Sequence, residues 1–424
     1  FQQLYNMADT IIVGRFVGAD ALAAVGSTGT IMFLLNGFAQ GITAGFSVLT
    51  AQRFGAGKKD AVKQSVTNGI LLSIIGAILL TVLGCAIMDP LLHLMNTPDD
   101  IFDMAYTYIT LISLGMIANV FYNLFSSYLR AVGNSKAPLF FLVFSACLNV
   151  GLDLFFIVVL KMGVAGAAWA TNLSQAISAL LCIVYIYCKV PALVPEKKHW
   201  RLTAGDTRYQ MQMGIPMALQ FAITSSGTMI MQSAINLFGS EAVAAYTAAC
   251  KVHSLLTQGM VAMGQTMAVY SGQNYGKGDY GRIRAGVKAA LIIEFIYSVV
   301  SAVAVSLLLG VTLGLFFSGD VDLTAMMPWA RTYITICTLF YIPLSTIFIF
   351  RNTMQGCGYG FLPMMGGVVE LVARMLVAMI AMRVHSYALS CFCDPAAWIS
   401  AGLFTGVSYL FVMKKIKATL SPKG

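Results

Sequence analysis

The sequence predicts an all-α polytopic membrane protein, with twelve transmembrane helices in two six-helix lobes related by pseudo-two-fold symmetry. Three observations carry this. Only 10% of the 424 residues are charged against 58% hydrophobic, with a mean hydropathy of +0.79; soluble domains carry about a quarter charged residues. Apolar runs of spanning length recur along the whole chain. The second half repeats motifs of the first.

A spanning helix needs about 20 mostly apolar residues. Runs without Asp, Glu, Lys or Arg occupy 21–52, 64–88, 104–129, 162–188, 209–240, 332–350 and 395–413. Five further apolar stretches, near 1–14, 137–160, 245–275, 283–316 and 360–382, carry isolated charges, and together these make twelve helices. The first residue already lies inside an apolar stretch, so the natural chain is expected to begin upstream, with the start of the first helix missing here.

The charges set orientation. The loops after the second, fourth, sixth, eighth and tenth helices, with the C-terminal tail, hold about twenty of the 26 Lys and Arg, as in "RFGAGKKD", "EKKHWR", "GKGDYGRIR" and "MKKIK". The opposite loops include the acidic "NTPDD" and "SGDVD". The positive-inside rule therefore predicts a multi-pass protein of the inner (plasma) membrane with both termini cytoplasmic. The net charge of +9 is topological, and no nucleic-acid partner is expected.

The repeat is explicit. "GADALAAV" (18–25) aligns with "GSEAVAAY" (239–246) at an offset of 221, which also carries "AQRFGAGKKD" (51–60) onto "GQNYGKGDYG" (272–281). "RAVGNSKAP" (130–138) aligns with "QGCGYGFLP" (355–363) at 225. The expected organisation is an N-terminal lobe 1–188, a polar cytoplasmic linker 189–206 and a C-terminal lobe 207–424. An even number of helices per half makes the repeats parallel, an architecture of transporters that bind substrate between rocking halves.

Chemistry other than transport finds little support. No Gly-x-x-x-x-Gly-Lys-[ST] loop exists for a nucleotide and no His-Glu-x-x-His for a metal, so no enzyme, cofactor or nucleotide is expected and transport must draw on an ion gradient or a separate subunit. The nine cysteines lie mostly in apolar runs and show neither a disulfide framework nor metal-ligand spacing. A monomer in the lipid bilayer is expected.

One constellation stands out. "LYNMADTIIVG" (4–14) places Asp9 in an apolar helix, where an unpartnered aspartate is costly and functional by default. Counting from Arg15, Asp9 lies about 9 Å below the outer edge at about 1.5 Å per residue. In the fifth segment "NVGLD" sets Asn149 and Asp153 four apart on one face, with Asp153 about 12 Å below Lys161. In the sixth, Thr171 falls at matching depth. These four oxygen-bearing side chains could bind a hard cation such as sodium, or the two carboxyls could share a proton. The bland alternative is that each acid makes a private hydrogen bond that stabilises packing.

The second half does not copy this set. Asn149 and Asp153 shifted by 225 give Arg374 and Ala378, and Asp9 shifted by 221 gives Ile230. Glu370 and Arg374 are spaced as an i,i+4 ion pair, either structural or a substrate or gating element. Lys251 is a second gating or substrate candidate, and His253 is expected to be packed. Glu294 aligns with Ser73 and has no evident partner in the sequence.

Taken together, "LYNMADTIIVGRFVGADALAAVG", "AQRFGAGKKD" with "GQNYGKGD", "LRAVGNSKAP" with "MQGCGYGFLP", and "MGIPMALQ" resemble the multidrug and toxic compound extrusion (MATE) family, particularly its DinF-like prokaryotic branch. The resemblance covers essentially the whole chain. It implies a MATE-like fold and a cation or proton site formed by an aspartate in helix 1, an Asn and Asp four apart in helix 5 and a Thr in helix 6. These fall on Asp9, Asn149, Asp153 and Thr171. The additional acids of the NorM-like branch, in helices 7 and 10, have no counterpart in 209–240 or 332–350, which favours protons over sodium as coupling ion. The implied function is efflux of drugs and organic cations in exchange for protons or sodium by alternating access. The alternative, a flippase for a lipid-linked saccharide, would use Lys251 and Arg374 to bind pyrophosphate.

Overall fold

The computed structural model describes residues 2–95, 97–314 and 323–420. The acidic "SGDVD" at 318–322 lies outside them. All regular structure among the described residues is helical: α1 (Gln2–Phe16), α2 (Ala19–Ser27), α3 (Gly29–Gly55), α4 (Lys59–Leu94), α5 (Asp99–Leu114), α6 (Met116–Ala131), α7 (Lys136–Asp153), α8 (Val164–Lys189), α9 (Ala204–Ile235), α10 (Ser240–Lys277), α11 (Tyr280–Gly314), α12 (Leu323–Thr338), α13 (Tyr341–Gly356), α14 (Phe361–Val384), α15 (Tyr387–Cys391) and α16 (Cys393–Leu420).

Sixteen helices become twelve rods because four apolar segments are broken, at Thr28, at Gly115, at 339–340 and at Phe392. The α5–α6 pair bends by 46° and the α12–α13 pair by 49°. Among the described residues, seven helices are long and apolar enough to cross a membrane alone, nine when each bent pair is one span. The remaining rods are α1, which is short, and α9 and α10, whose polar runs "TSSGT" and "KVHS" lower their hydropathy.

Side chains are sorted as a bilayer requires. On α16, Ala397, Ala401, Thr405, Ser408 and Val412 are buried, while Leu403, Val407 and Leu410 on the other face are each 68% exposed. Small residues inside let helices approach, and large apolar ones outside meet lipid.

The repeat is written into the backbone. Gly18 and Gly239 (φ 128° and 89°), Gly57 and Gly278 (72° and 81°), and Gly133 and Gly358 (87° and 93°) are the aligned pairs of the three motifs. All six have a positive φ, which glycine adopts without a Cβ penalty. The two bends recur in register as well, since Met116 and Tyr341 open the second helix of each bent pair.

The chain divides into two compact units, Phe1–Ala218 and Leu219–Gly424. In the first, α3 packs on α4 and α6, α8 on α5, α6 and α7, and α1 on α2, α7 and α8. The start of α9 belongs to this unit although the sequence assigns 207–218 to the second lobe. Asp206 accepts from Arg53 at 2.5 and 2.7 Å, and Gln210 from Asn68 at 2.9 Å. Gly45 and Gly214 lie backbone to backbone, where a Cβ on Gly45 would collide with α9. The linker is fastened by Lys63–Glu196 at 3.0 Å, Lys198–Asp60 at 3.2 Å and His199–Asp60 at 3.4 Å. In the second unit α10 packs on α11, α12 and α13, and α16 on α13 and α14.

Candidate functional site

α1 lies against α7 and α8, and this packing brings Asp9, Asn149, Asp153 and Thr171 together. All four are buried, at 7%, 1%, 0% and 8% exposure. Asn149 Nδ2 donates to Thr171 Oγ1 at 3.3 Å, joining α7 to α8. The carboxyls of Asp9 and Asp153 face each other within hydrogen-bonding reach. Asp153 is the last α-helical residue of α7, and a π-helical turn, Leu154–Val159, follows it directly. Such turns wind wider than α-helix and are common at functional sites.

The set has a surplus of acceptors. Asp9 Oδ1, Asn149 Oδ1 and both carboxyl oxygens of Asp153 are buried without a donor, and among the described residues no basic side chain pairs with either aspartate. Ionised carboxylates accept only, so two of them face to face require a proton or a cation between them. The donor set of two carboxyls, an amide oxygen and a hydroxyl suits either a proton or sodium.

A second polar cluster in this unit escaped the sequence reading. Asn119 donates to Asn36 and to Gln175, both at 3.0 Å, and Asn123 donates to Asn119 at 3.0 Å. Asn119 and Asn123, four apart in an apolar segment, were its sequence signal.

In the second unit Glu370 and Arg374 pair as their spacing predicts, at 3.1 Å. Arg374 also binds Asp394, from Nε at 3.0 Å and Nη2 at 2.8 Å. Asp394 was missed because it precedes the apolar run at 395–413 and reads as a loop residue; the only hint was an acid close to a membrane edge. His253 is packed, its Nδ1 3.0 Å from Tyr341 Oη and its ring stacked on Trp398. Lys251, two residues before it on α10, is exposed. Glu294 is buried on α11 with Oε2 unpartnered, and its aligned residue Ser73 has an unpartnered Oγ.

Apolar rods in two repeated units, the first of which holds a buried carboxyl pair with no basic partner among the described residues, define a membrane transporter. The MatE family profile matches residues 1–155 and 216–380. The chain therefore belongs to the MatE family, whose members are multidrug efflux transporters and not enzymes. It is 31% identical to the probable multidrug resistance protein YpnP of Bacillus subtilis over 66% of this chain, a match that spans 63% of that protein. It is 25% identical to DNA damage-inducible protein F of Escherichia coli, over 71% of this chain and 67% of that one. A crystal structure of a MATE protein in the bent conformation superimposes with a TM-score of 0.90 at 22% identity, covering 99% of this chain and 93% of its own. That structure shares the twelve-helix, two-lobe fold. The flippase reading finds no support in these relatives, and the Arg374 it would use is already held by two carboxylates.

Proposed function

We propose that this chain exports organic cations and drugs across the inner membrane by alternating access, driven by protons that enter at the Asp9–Asp153 pair. The observation that carries the reading is the pair itself: two buried carboxyls in contact, with orphaned oxygens and no basic partner among the described residues. Releasing the proton would leave two negative charges together in a low-dielectric site, so the site must rearrange or take a cation in its place. Ion and organic cation would then bind in mutually exclusive states, and the difference in their affinities for two conformations provides the coupling.

The four oxygen ligands would also hold sodium; the absence of Asp and Glu from 209–240 and 332–350, where the NorM-like branch carries additional acids, favours the proton. Exposed Lys251 is retained as a gating candidate. The test is ethidium transport in everted vesicles energised by a pH gradient in sodium-free buffer. Gradient-dependent transport that collapses with a protonophore is expected. Transport that requires sodium and ignores the pH gradient would overturn proton coupling.

A further inference from the structure

We propose that Arg374 is a tethered counter-cation that holds both carboxyls of the second unit's Glu370–Asp394 pair ionised, so that this pair, unlike the first unit's, exchanges no coupling ion. This rests on the reading of Asp9 and Asp153 as the coupling site.

The two clusters occupy the same place in the repeat. The first unit's site is built by α1, α7 and α8. Their counterparts are α9, α14 and α16: α1 and α9 precede the aligned "GADALAAV" and "GSEAVAAY", and α7 and α14 begin at the aligned "SKAP" and "GFLP" stretches. At the offset of 225, Asn149 becomes Arg374 itself, and Thr171 becomes Ala396, two residues from Asp394. A guanidinium thus stands in the second unit where the first has the amide of Asn149.

The carboxyl oxygens of the two clusters are satisfied oppositely, although Arg374 Nη1 is itself buried without an acceptor. In the first, four oxygens are orphaned. In the second, Arg374 reaches Glu370 at 3.1 Å and Asp394 at 2.8 Å, and neither acid has a buried oxygen without a partner. The side chains of Arg374, Glu370 and Asp394 are only 3%, 9% and 10% exposed, so solvent ions do not supply this compensation. The fold also makes room for the guanidinium. Arg374 Nη1 lies against Gly227 of α9, where a Cβ would collide with it; Gly227 is one turn before Ile230, the residue aligned with Asp9.

Other charged or titratable groups in electrostatic reach of the two acids are Arg351 on α13, Tyr246, Cys250 and His253 on α10, and Tyr333 and Cys337 on α12. Cys391 and Cys393 flank the α15–α16 break beside Asp394. Of all these, Arg374 is the one that forms ion pairs with the acids among the described residues. An arginine does not lose its proton in a protein, so the compensation is fixed.

The test is proton uptake per molecule when the purified full chain in lipid nanodiscs is acidified in sodium-free buffer. Arg374→Gln should take up about one proton more than wild type, because the freed carboxyl pair then resembles the first unit's. Arg374→Lys, which keeps the charge, should match wild type, as should Glu370→Gln and Asp394→Asn. If Arg374→Gln does not accumulate, Arg374→Gln with Asp394→Asn removes one charge of each sign, leaves Glu370 uncompensated and should show the same gain. No gain in either Arg374→Gln background, or a loss of uptake in Glu370→Gln or Asp394→Asn, overturns the proposal. Asp9→Asn with Asp153→Asn tests the underlying reading separately: wild-type uptake in that variant would refute the coupling site without touching the result for Arg374.

Discussion

The carboxyl groups of Asp9 on α1 and Asp153 on α7 face each other in a buried contact that no basic side chain among the described residues neutralises. Asp9→Asn and Asp153→Asn should each abolish gradient-driven efflux while leaving the protein at normal levels in the membrane. Asn is nearly isosteric and cannot ionise. Because the two act as one unit, the double variant should be scarcely worse than either single one, as expected for coupled neighbours. Ethidium efflux and immunoblotting of membranes check both halves; efflux retained by Asp9→Asn at normal abundance would remove it from the site.

Arg374 and Glu370 are not equivalent in stability. Arg374→Met strands Glu370 and Asp394 as buried unpaired acids, a loss of about 3–5 kcal/mol. Glu370→Gln leaves Arg374 its two-nitrogen contact with Asp394, so the loss should be nearer about 1–2 kcal/mol, that of one charged hydrogen bond. Thermal unfolding of the detergent-solubilised variants should show Arg374→Met as the less stable. The reverse order would mean that Asp394 does not share the load.

The linker attachment should depend on pH and salt. Lys198 hydrogen-bonds Asp60 and holds its carboxyl below the usual carboxylate range, and Lys63 does the same for Glu196. Lys198 is in turn raised, first by its hydrogen bond to Asp60. A depressed carboxylate stabilises above its unfolded value and loses that contribution as pH falls through its folded one. A raised lysine stabilises below its unfolded value and loses it as pH rises through the folded one. The attachment is therefore strongest between these limits and weakens in acid. Limited proteolysis within 190–203 should accelerate at low pH and, since these groups are exposed and screened, at high salt. Cleavage indifferent to both would show that the ion pairs do not hold the linker.

The same segment reports orientation. Lys197 is exposed in a short 3-10 turn, and all nine cysteines are free. A cysteine-free protein carrying Lys197→Cys should react with a membrane-impermeant thiol reagent in everted vesicles and not in intact cells. Labelling of intact cells would invert the assigned topology.

The close approach of α3 and α9 gives a packing test. Gly45→Val would force branched side-chain atoms into the backbone of Gly214 and push the helices apart. Overpacking of this kind costs about 1–3 kcal/mol. Reduced thermal stability is expected, whereas Gly76→Val, at a position with open space beside it, should be tolerated.

Composition, the spacing of apolar runs and the offsets of 221 and 225 were enough to determine twelve rods and their two-fold repetition, because a bilayer admits little besides apolar helices. The i,i+4 spacing set Asn149 beside Asp153 and Glu370 beside Arg374, because helical periodicity is a local property. Depth counting went one step further and matched Asp9 and Thr171 to them. What the sequence left open were contacts made across helices. That Asp9 meets Asp153 with no counter-charge among the described residues was decided by α1 packing on α7. That Arg374 has a second partner was decided by α16 packing on α14, which draws Asp394 in from the edge of an apolar run. The breaks at Thr28 and Phe392 lie inside or beside runs whose hydropathy gives no sign of them, and the start of α9 joins the first unit through Arg53–Asp206 and the Gly45–Gly214 contact. Hydropathy reads what each segment prefers as solvent; which side chains become neighbours depends on helix faces and crossings, which only the folded chain fixes.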